Sequence, residues 1–230
     1  MMWSTKHDRM VILLTVLSAV TGLVDATSVL GLGKVFTANM TGNVVFLGFA
    51  IAGATGFHWV HYVVALIAFG LGAALAGRLF RACVTRGRRR WLIAAAAIEA
   101  SLLWAAAALS LPAWGEAAGQ VTYVLIALSA AAMGSRNATV QQLRVPDLTT
   151  TVLTRTITGL AVDSHLAGGG GENAGRRLHA ILALFVGAAL GALLVLNFGV
   201  AVPLAVAGLG TLGATLLLAA DVPASSSVSP

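Results

Sequence analysis

Charged side chains are scarce in this 230-residue sequence, in which only 10% of the residues are Asp, Glu, Lys or Arg. Soluble globular chains average about 25% charged and about 45–50% apolar residues. Here 58% of the residues are hydrophobic and the mean hydropathy is +0.91. Because a soluble fold of this length cannot bury so much apolar surface, the composition predicts a protein embedded in a lipid bilayer.

Reactive and metal-ligating side chains are equally sparse. Cys83 is the only cysteine, which excludes an intramolecular disulfide. No His or Cys cluster has the spacing of zinc ligands, and no nucleophile is paired with a base. The sequence therefore predicts a protein that is not an enzyme and that uses no metal or cofactor.

The net charge of +6 does not indicate a nucleic-acid partner. The densest basic cluster, at residues 86–90, lies between two long apolar runs. That position is typical of a cytoplasmic loop in a membrane protein, where Lys and Arg accumulate. The predicted partner is the lipid bilayer, and no nucleic-acid partner is expected.

Six apolar runs are long enough, or nearly so, to cross a bilayer, which needs about 20 helical residues. They cover residues 10–30, 59–82, 91–111, 119–141, 178–197 and 201–220. The segments 35–53 and 148–166 are also apolar but are rich in Thr, Asn and Gly. We interpret these two segments as broken or re-entrant helices. Eight full spans are the alternative, since 35–53 is apolar enough to cross.

Short matches between the two halves indicate an internal repeat. Residues 22–27 match 134–139 at an offset of 112 (134 − 22), and residues 72–75 match 187–190 at 115 (187 − 72). Residues 38–41 align with 151–154 at 113 (151 − 38). Three spans in each half make the repeats inverted, as in many transport proteins.

The fold prediction is an all-α, polytopic membrane helix bundle that forms a single domain, 1–230. Two inverted repeats of three spans, each with one re-entrant or broken helix, cover about 10–111 and 119–220, and 221–230 is a disordered tail. With both termini in the cytoplasm, Lys34 is the only one of 14 basic residues that lies outside. Because Lys and Arg bias sets orientation, this charge pattern favours six spans over eight.

Polar side chains within the apolar runs predict a pathway between the repeats. Asp25 lies deep in the first span, where a carboxylate costs roughly 2.5–3.5 kcal/mol and is a functional hypothesis by default. Asn137 is its repeat equivalent, and the polar run at 39–43 has a hydroxyl-rich counterpart at 150–156. The predicted pathway residues are Asp25, Asn39, Thr41, Asn43, Asn137, Thr154 and Arg155. Helix-to-helix hydrogen bonding alone is the alternative interpretation.

Glu99 lies in the middle of the span 91–111, and its repeat equivalent is near the uncharged Thr211. A lone buried glutamate can carry protons, or it can be a protonated, hydrogen-bonded packing residue. The sequence does not distinguish between these two roles of Glu99. For Asp25, a pair with Arg136 or Arg155 is the intermediate case between a functional carboxylate and a packing residue.

Small residues at a spacing of four indicate close helix packing. Gly187 and Gly191 form one such pair, and Gly72 with Ala76 forms its counterpart in the first half. The contact can lie within one chain or between protomers, so the sequence allows a homo-oligomer that forms through these small-residue faces.

Several of these motifs together resemble the YoaK-like family of small bacterial inner-membrane proteins, which carry a domain of unknown function. The resemblance rests on Val24-Asp25-Ala26, residues 36–43, residues 133–138 and the threonine-rich stretch 149–154. In that family the threonine-rich stretch of the second half often ends in Met-Thr-Gly. Here it reads Leu153-Thr154-Arg155, so Arg155 stands in place of the glycine. The resemblance implies a permease of the bacterial inner membrane and assigns no substrate.

Two functions agree with these features. The first is a transporter of a small solute or ion, in which Asp25 binds a cation or carries a proton. The alternative is a non-transporting scaffold or accessory subunit, which predicts no continuous polar path and an exposed small-residue face at Gly187 and Gly191.

Overall fold

The computed structural model is all-helical in the residues that it describes, which are 2–83, 87–111, 118–143, 153–170 and 174–219. The prediction of an all-α fold is confirmed, while the predicted tail at 221–230 lies outside the described residues. A short 3-10 turn, His165–Ala167, follows the sixth helix. The α-helices are α1 Met2–Gly31, α2 Met40–Ile51, α3 Trp59–Cys83, α4 Arg88–Leu109, α5 Ala118–Leu143, α6 Leu153–Val162, α7 Ala174–Phe198 and α8 Ala201–Ala219.

Four helices have both the length and the apolar composition of a membrane crossing. Their apolar segments are Ile12–Gly31, Trp59–Cys83, Arg89–Leu109 and Ala174–Phe198. The apolar part of α8, Ala201–Leu217, is shorter. Helix α5 has 26 residues but carries Arg136, Asn137 and Gln141 in its second half. By length and composition, four of the described helices can cross a membrane. The six crossings that the sequence predicts stay a prediction.

Two pairs of long helices pack in parallel. In the first pair, Ala19 of α1 lies against Gly187 of α7, and Gly31 at the end of α1 lies against Val195. In the second pair, the rings of His61 and Tyr123 are 5.4 Å apart near the starts of α3 and α5. Gly72 then contacts Ala131 further along the same two helices.

Helix α4 is antiparallel to α5. Glu99, in the middle of α4, contacts Arg136 in the second half of α5. Trp91 and Leu92 at the start of α4 share an apolar cluster with Leu143 at the end of α5. The start of α4 therefore lies beside the end of α5, as expected for an antiparallel pair.

Helix α8 is antiparallel to both α4 and α1. Against α4, Glu99 lies beside Thr211, while Trp104 near the end of α4 donates to the Ala205 carbonyl near the start of α8. Against α1, Val20 contacts Gly210, and the cluster around Leu13 packs on Ala214. Together these contacts fix the direction of every long helix. Helices α1, α4 and α7 run one way through the bundle, and α3, α5 and α8 run the other way.

The two short helices, α2 and α6, do not pass from one end of the bundle to the other. Because α1 and α3 run in opposite directions, α2 between them begins and finishes at one end, and α6 does the same between α5 and α7. They contain 12 and 10 residues, which span about 18 Å and 15 Å against the roughly 30 Å of a bilayer core. The prediction of a broken segment in 35–53 and in 148–166 agrees with this, and both helices are too short for eight full spans.

Glycines allow α1 and α7 to approach until backbone meets backbone. A Cβ atom built on Gly187 would overlap the carbonyl oxygen of Ala19, and one built on Gly22 would overlap that of Leu184. Neither site has room for a larger residue, so this crossing depends on glycine.

The same contact recurs between α5 and α3. A Cβ on Gly72 would overlap the carbonyl oxygen of Ala131, and one on Gly134 would overlap that of Phe69. The residues of α5 follow those of α1 by 112 (131 − 19 and 134 − 22), and the residues of α7 follow those of α3 by 115 (187 − 72 and 184 − 69). The offsets found in the sequence therefore relate two helix crossings of matching geometry.

The small-residue face of α7 is used inside the chain. Gly187 and Gly191 are buried, and Gly191 faces the backbone of Leu23 on α1. The exposed face that the scaffold hypothesis required at these two glycines is therefore wrong. A homo-oligomer stays a prediction, and it would have to form through another face.

Adding a methyl group at either crossing should destabilise the bundle. We expect Gly72→Ala and Gly187→Ala each to lower the free energy of unfolding by about 1–3 kcal/mol or more, because overpacking displaces backbone atoms. Gly70→Ala is the matched control on α3, since a Cβ there meets nothing within 4 Å. Equilibrium unfolding in detergent micelles measures all three variants, and wild-type stability in Gly72→Ala would contradict the crossing geometry.

Candidate functional site

The centre of the bundle contains a buried ion pair. Arg136 on α5 is 2% exposed and Glu99 on α4 is 4% exposed. The Nη2 group of Arg136 donates to the Glu99 carboxylate and to the Thr211 hydroxyl, and that hydroxyl donates to Glu99 Oε1 at 3.0 Å. Glu99 is therefore not the lone carboxyl that the sequence indicated.

The second terminal nitrogen of Arg136 reaches α1. Its Nη1 group donates to the Leu17 carbonyl and to the Thr21 hydroxyl, at 3.3 Å each. One guanidinium group thus connects α5 with α4, α8 and α1. Asp25, the partner that the sequence allowed for Arg136, has other contacts, and Arg136 pairs with Glu99.

Asp25 holds the chain segment that leads into α2. Its Oδ1 atom accepts hydrogen bonds from the backbone N–H groups of Thr37 at 3.0 Å and Ala38 at 2.8 Å. Asp25 lies six residues before the end of α1 (31 − 25), which is about 9 Å along the helix axis. The connection after α1 therefore folds back beside α1, and α2 starts at the level of Asp25.

Asn43 and Asn39 complete this connection. Asn43 is fully buried, and its amide pairs in both directions with the backbone of Phe36, at 2.9 Å and 2.6 Å. The side chain of Asn39 caps α2 by accepting from the Gly42 N–H at 3.3 Å. Both asparagines thus stabilise the irregular backbone that membrane depth permits only where its polar groups have partners.

The other predicted pathway residues do not share one surface. Thr41, Thr154 and Arg155 are exposed near the starts of α2 and α6. Asn137 is half-buried on α5, where its amide donates to the Met133 carbonyl at 3.0 Å. The predicted counterpart stretch at 150–152 lies outside the described residues.

A cavity of about 400 Å³ lies beside Asp25. Its walls come from α1, from α7, from the connection before α2 and from the first residue of α6. Asp25 and Asn39 are the two predicted pathway residues that the structure brings together here. The residues that matter for its chemistry are Thr21, Asp25, Phe36, Asn39, Leu153 and Leu184.

Thr21 connects this cavity with the ion pair. It lines the cavity one helical turn before Asp25, and its hydroxyl accepts from Arg136. The spacing of Thr21 and Asp25, at i and i+4, places both on one face of α1, so the sequence contained a signal for this link. The pairing of Arg136 with Glu99 had none, because their helices are adjacent only in the folded chain.

Removing one charge of the ion pair should destabilise the bundle more than removing both. We expect Glu99→Gln to lower the free energy of unfolding by about 3–5 kcal/mol, since it leaves the Arg136 charge uncompensated in a dry interior. The double variant Glu99→Met with Arg136→Met should lose less, because two apolar side chains replace the pair. Unfolding in detergent measures both, and equal stability of Glu99→Gln and wild type would contradict the pairing.

Replacing Asn43 should destabilise the backbone between α1 and α2 more than replacing Asn39 does. Asn43→Ala leaves the buried polar backbone of Phe36 without its partner, which costs about 1–3 kcal/mol. Asn39→Ala removes an exposed helix cap, which costs about 1 kcal/mol. Hydrogen exchange measured by mass spectrometry should show faster exchange around Phe36 in Asn43→Ala, and equal exchange in the two variants would oppose this role.

Comparison with known proteins gives a relative and a family. The UPF0700 transmembrane protein YoaK of Bacillus subtilis (strain 168) is 34% identical to this chain over 159 residues. The match covers 66% of this chain and 65% of the length of YoaK. No solved structure matches the chain.

The family model described as "Protein of unknown function (DUF1275)" matches residues 13–217, which include almost all of the helical bundle. The resemblance to YoaK-like proteins that the motifs indicated is confirmed by this match and by YoaK. The chain is a membrane protein and belongs to the DUF1275 family.

Proposed function

We propose that this protein is a multi-pass transporter of a small solute or ion, with a polar pathway between two inverted repeats. One observation carries the proposal. The cavity beside Asp25 connects through Thr21 to the buried charges of Arg136 and Glu99. Ionisable groups inside a membrane bundle are costly and are associated with substrate and ion pathways.

The helix directions support the inverted repeats. In the first half, α1, α3 and α4 alternate in direction, and in the second half α5, α7 and α8 alternate in the opposite sense. Each half also has a short helix between its first and second long helices, α2 in the first half and α6 in the second. Rocking of one such repeat against the other around a fixed site is a common basis of alternating access.

The distribution of basic residues supports a cytoplasmic location of both termini. Arg78 and Arg81 near the end of α3, Arg89 and Arg90 at the start of α4 and Arg177 at the start of α7 lie at the end of the bundle where α1 begins. Lys34 follows α1 and lies at the opposite end. Because Lys and Arg accumulate on the cytoplasmic side, we propose an inner-membrane protein with this basic end inside.

The pathway residues have different roles in this proposal. Asp25 and Asn39 would contact the solute, while Asn43 would hold the connection that shapes the cavity. Thr41, Asn137, Thr154 and Arg155 would contribute only if a second conformation brings them to the pathway. Glu99 would balance the charge of Arg136 and would not carry protons.

The scaffold alternative loses one of its two predicted features, because the glycine face that it required is buried. Its other feature, the lack of a continuous polar path, agrees with the scattered positions of Thr41, Asn137, Thr154 and Arg155.

The absence of enzymatic activity also stays part of the proposal. A metal site shared by Glu99 and His61 would favour an enzyme, but these two residues have separate partners. His61 contacts the rings of His58 and Tyr123, far along the bundle from the ion pair.

Cysteine labelling tests the topology. Single cysteines replace Thr55, Arg90 and Gly170 in a Cys83→Ala background, and intact cells are treated with a membrane-impermeant maleimide. We expect label at position 55 alone, because 55 lies beyond α2 while 90 and 170 lie at the basic end. Labelling at 90 from outside would contradict the inverted arrangement.

Transport currents test the function. The full chain is reconstituted in proteoliposomes, and currents on a solid-supported membrane are recorded after jumps in H⁺, Na⁺, K⁺, small amines, amino acids and carboxylates. We expect a current with at least one solute, and we expect Asp25→Asn to abolish it. Asp163→Asn is the matched control, since Asp163 pairs with Arg177 outside the cavity. Unchanged current in Asp25→Asn would remove Asp25 from the mechanism, and no current with any solute would oppose transport.

A further inference from the structure

We infer that the cavity beside Asp25 binds a small organic cation with an apolar body, such as a protonated aryl-alkyl amine. The inference names the substrate class of the proposed transporter and in that sense rests on the proposed function. The cavity itself, however, is a binding site that can be tested without transport. The argument uses its charge, its polar atoms and its walls.

Among the residues that the structure describes, the charge balance around the cavity is negative. Arg136 is neutralised by its direct partner Glu99, so Asp25 supplies the uncompensated charge among the described residues that line the cavity. Arg155 is exposed and does not line it. Lys34 lies 5.2 Å from the centre of the Phe57 ring and does not line it either. A cation is therefore favoured over an anion or a neutral solute.

The carboxylate has acceptor capacity left for a ligand. Its hydrogen bonds from the backbone of Thr37 and Ala38 both go to Oδ1, and the backbone N–H of Asn39 also lies near the carboxyl group. Because a carboxylate has about four lone-pair sites, Oδ2 can still accept from an ammonium group in the cavity.

The walls suit a ligand with an organic body better than a bare divalent metal ion or a sugar. Apart from Asp25, Asn39 and Thr21, the described lining side chains are apolar or glycine. A bare metal ion such as Ca²⁺ needs about six to eight oxygen ligands, and a sugar needs many hydrogen bonds, so neither suits these walls. Leu184 and Ala188 instead offer contact to a hydrocarbon body, and about 400 Å³ lies within the range of small-molecule sites.

Three probes of similar size separate the effect of charge from the effect of shape. Phenethylamine is a cation at neutral pH, 2-phenylethanol is neutral and phenylacetate is an anion. Binding to the purified full chain in detergent is measured by isothermal titration calorimetry. We expect phenethylamine to bind at least about tenfold more tightly than either of the others, a ratio that corresponds to about 1.4 kcal/mol. Equal binding of the three probes, or no binding of phenethylamine, would overturn the inference.

Two variants then locate the site. Asp25→Asn retains one acceptor oxygen for the N–H groups of Thr37 and Ala38, and it replaces the charge and the second carboxylate oxygen with an NH2 donor, so phenethylamine should bind at least about tenfold more weakly. Leu184→Trp leaves the charge and fills the cavity from α7, and it should also block binding. Asp163→Asn should bind as wild type does. Wild-type affinity in both Asp25→Asn and Leu184→Trp would place the amine elsewhere and would end the proposal.

The two proposals can fail separately. If phenethylamine binds as expected while no solute produces a current, the cation site stands and transport fails. If another solute produces a current that depends on Asp25 while phenethylamine does not bind, transport stands and the amine class is wrong.

Discussion

Arg136 is the interaction on which the centre of this bundle depends. Its guanidinium group contacts α1, α4 and α8 from α5, so four of the long helices meet at one side chain. A hydrocarbon core offers no water to an unpaired charge. The relative positions of these helices therefore have to satisfy two requirements. They give Arg136 and Glu99 hydrogen-bonding partners, and they pack the apolar side chains of the core.

The contact between Glu99 and Thr211 also relates the two halves of the chain. Thr211 follows Glu99 by 112 residues (211 − 99), the same offset that relates α1 to α5. Two positions related by this offset are therefore in contact at the centre of the bundle. Val24 stands 112 residues before Arg136 (136 − 112), so the charge that joins the helices is present in one half of the chain only.

Asp25 has a structural contact and spare acceptor capacity at the same time. One oxygen fixes the start of α2 through the backbone of Thr37 and Ala38, and the carboxylate also lines the cavity. A solute that binds this carboxylate would therefore act on the group that holds α2. Binding and a movement of the connection before α2 would be coupled through one side chain.

The sequence by itself determined the all-α class, the membrane environment, the two short helices and the offsets between the halves. These follow from local composition and periodicity, because a run of apolar residues either is or is not long enough to span a bilayer. It also selected Asp25 and Asn39, since polar groups within apolar runs are costly. Only the tertiary structure decided that Arg136 pairs with Glu99, that the glycines of α7 face α1, and that Asn43 binds the backbone of Phe36. The first two choices depend on which helices become neighbours, and that involves residues far apart in the chain, which no local pattern encodes. The third depends on how the connection folds back beside α1, which the spacing of the residues alone does not fix.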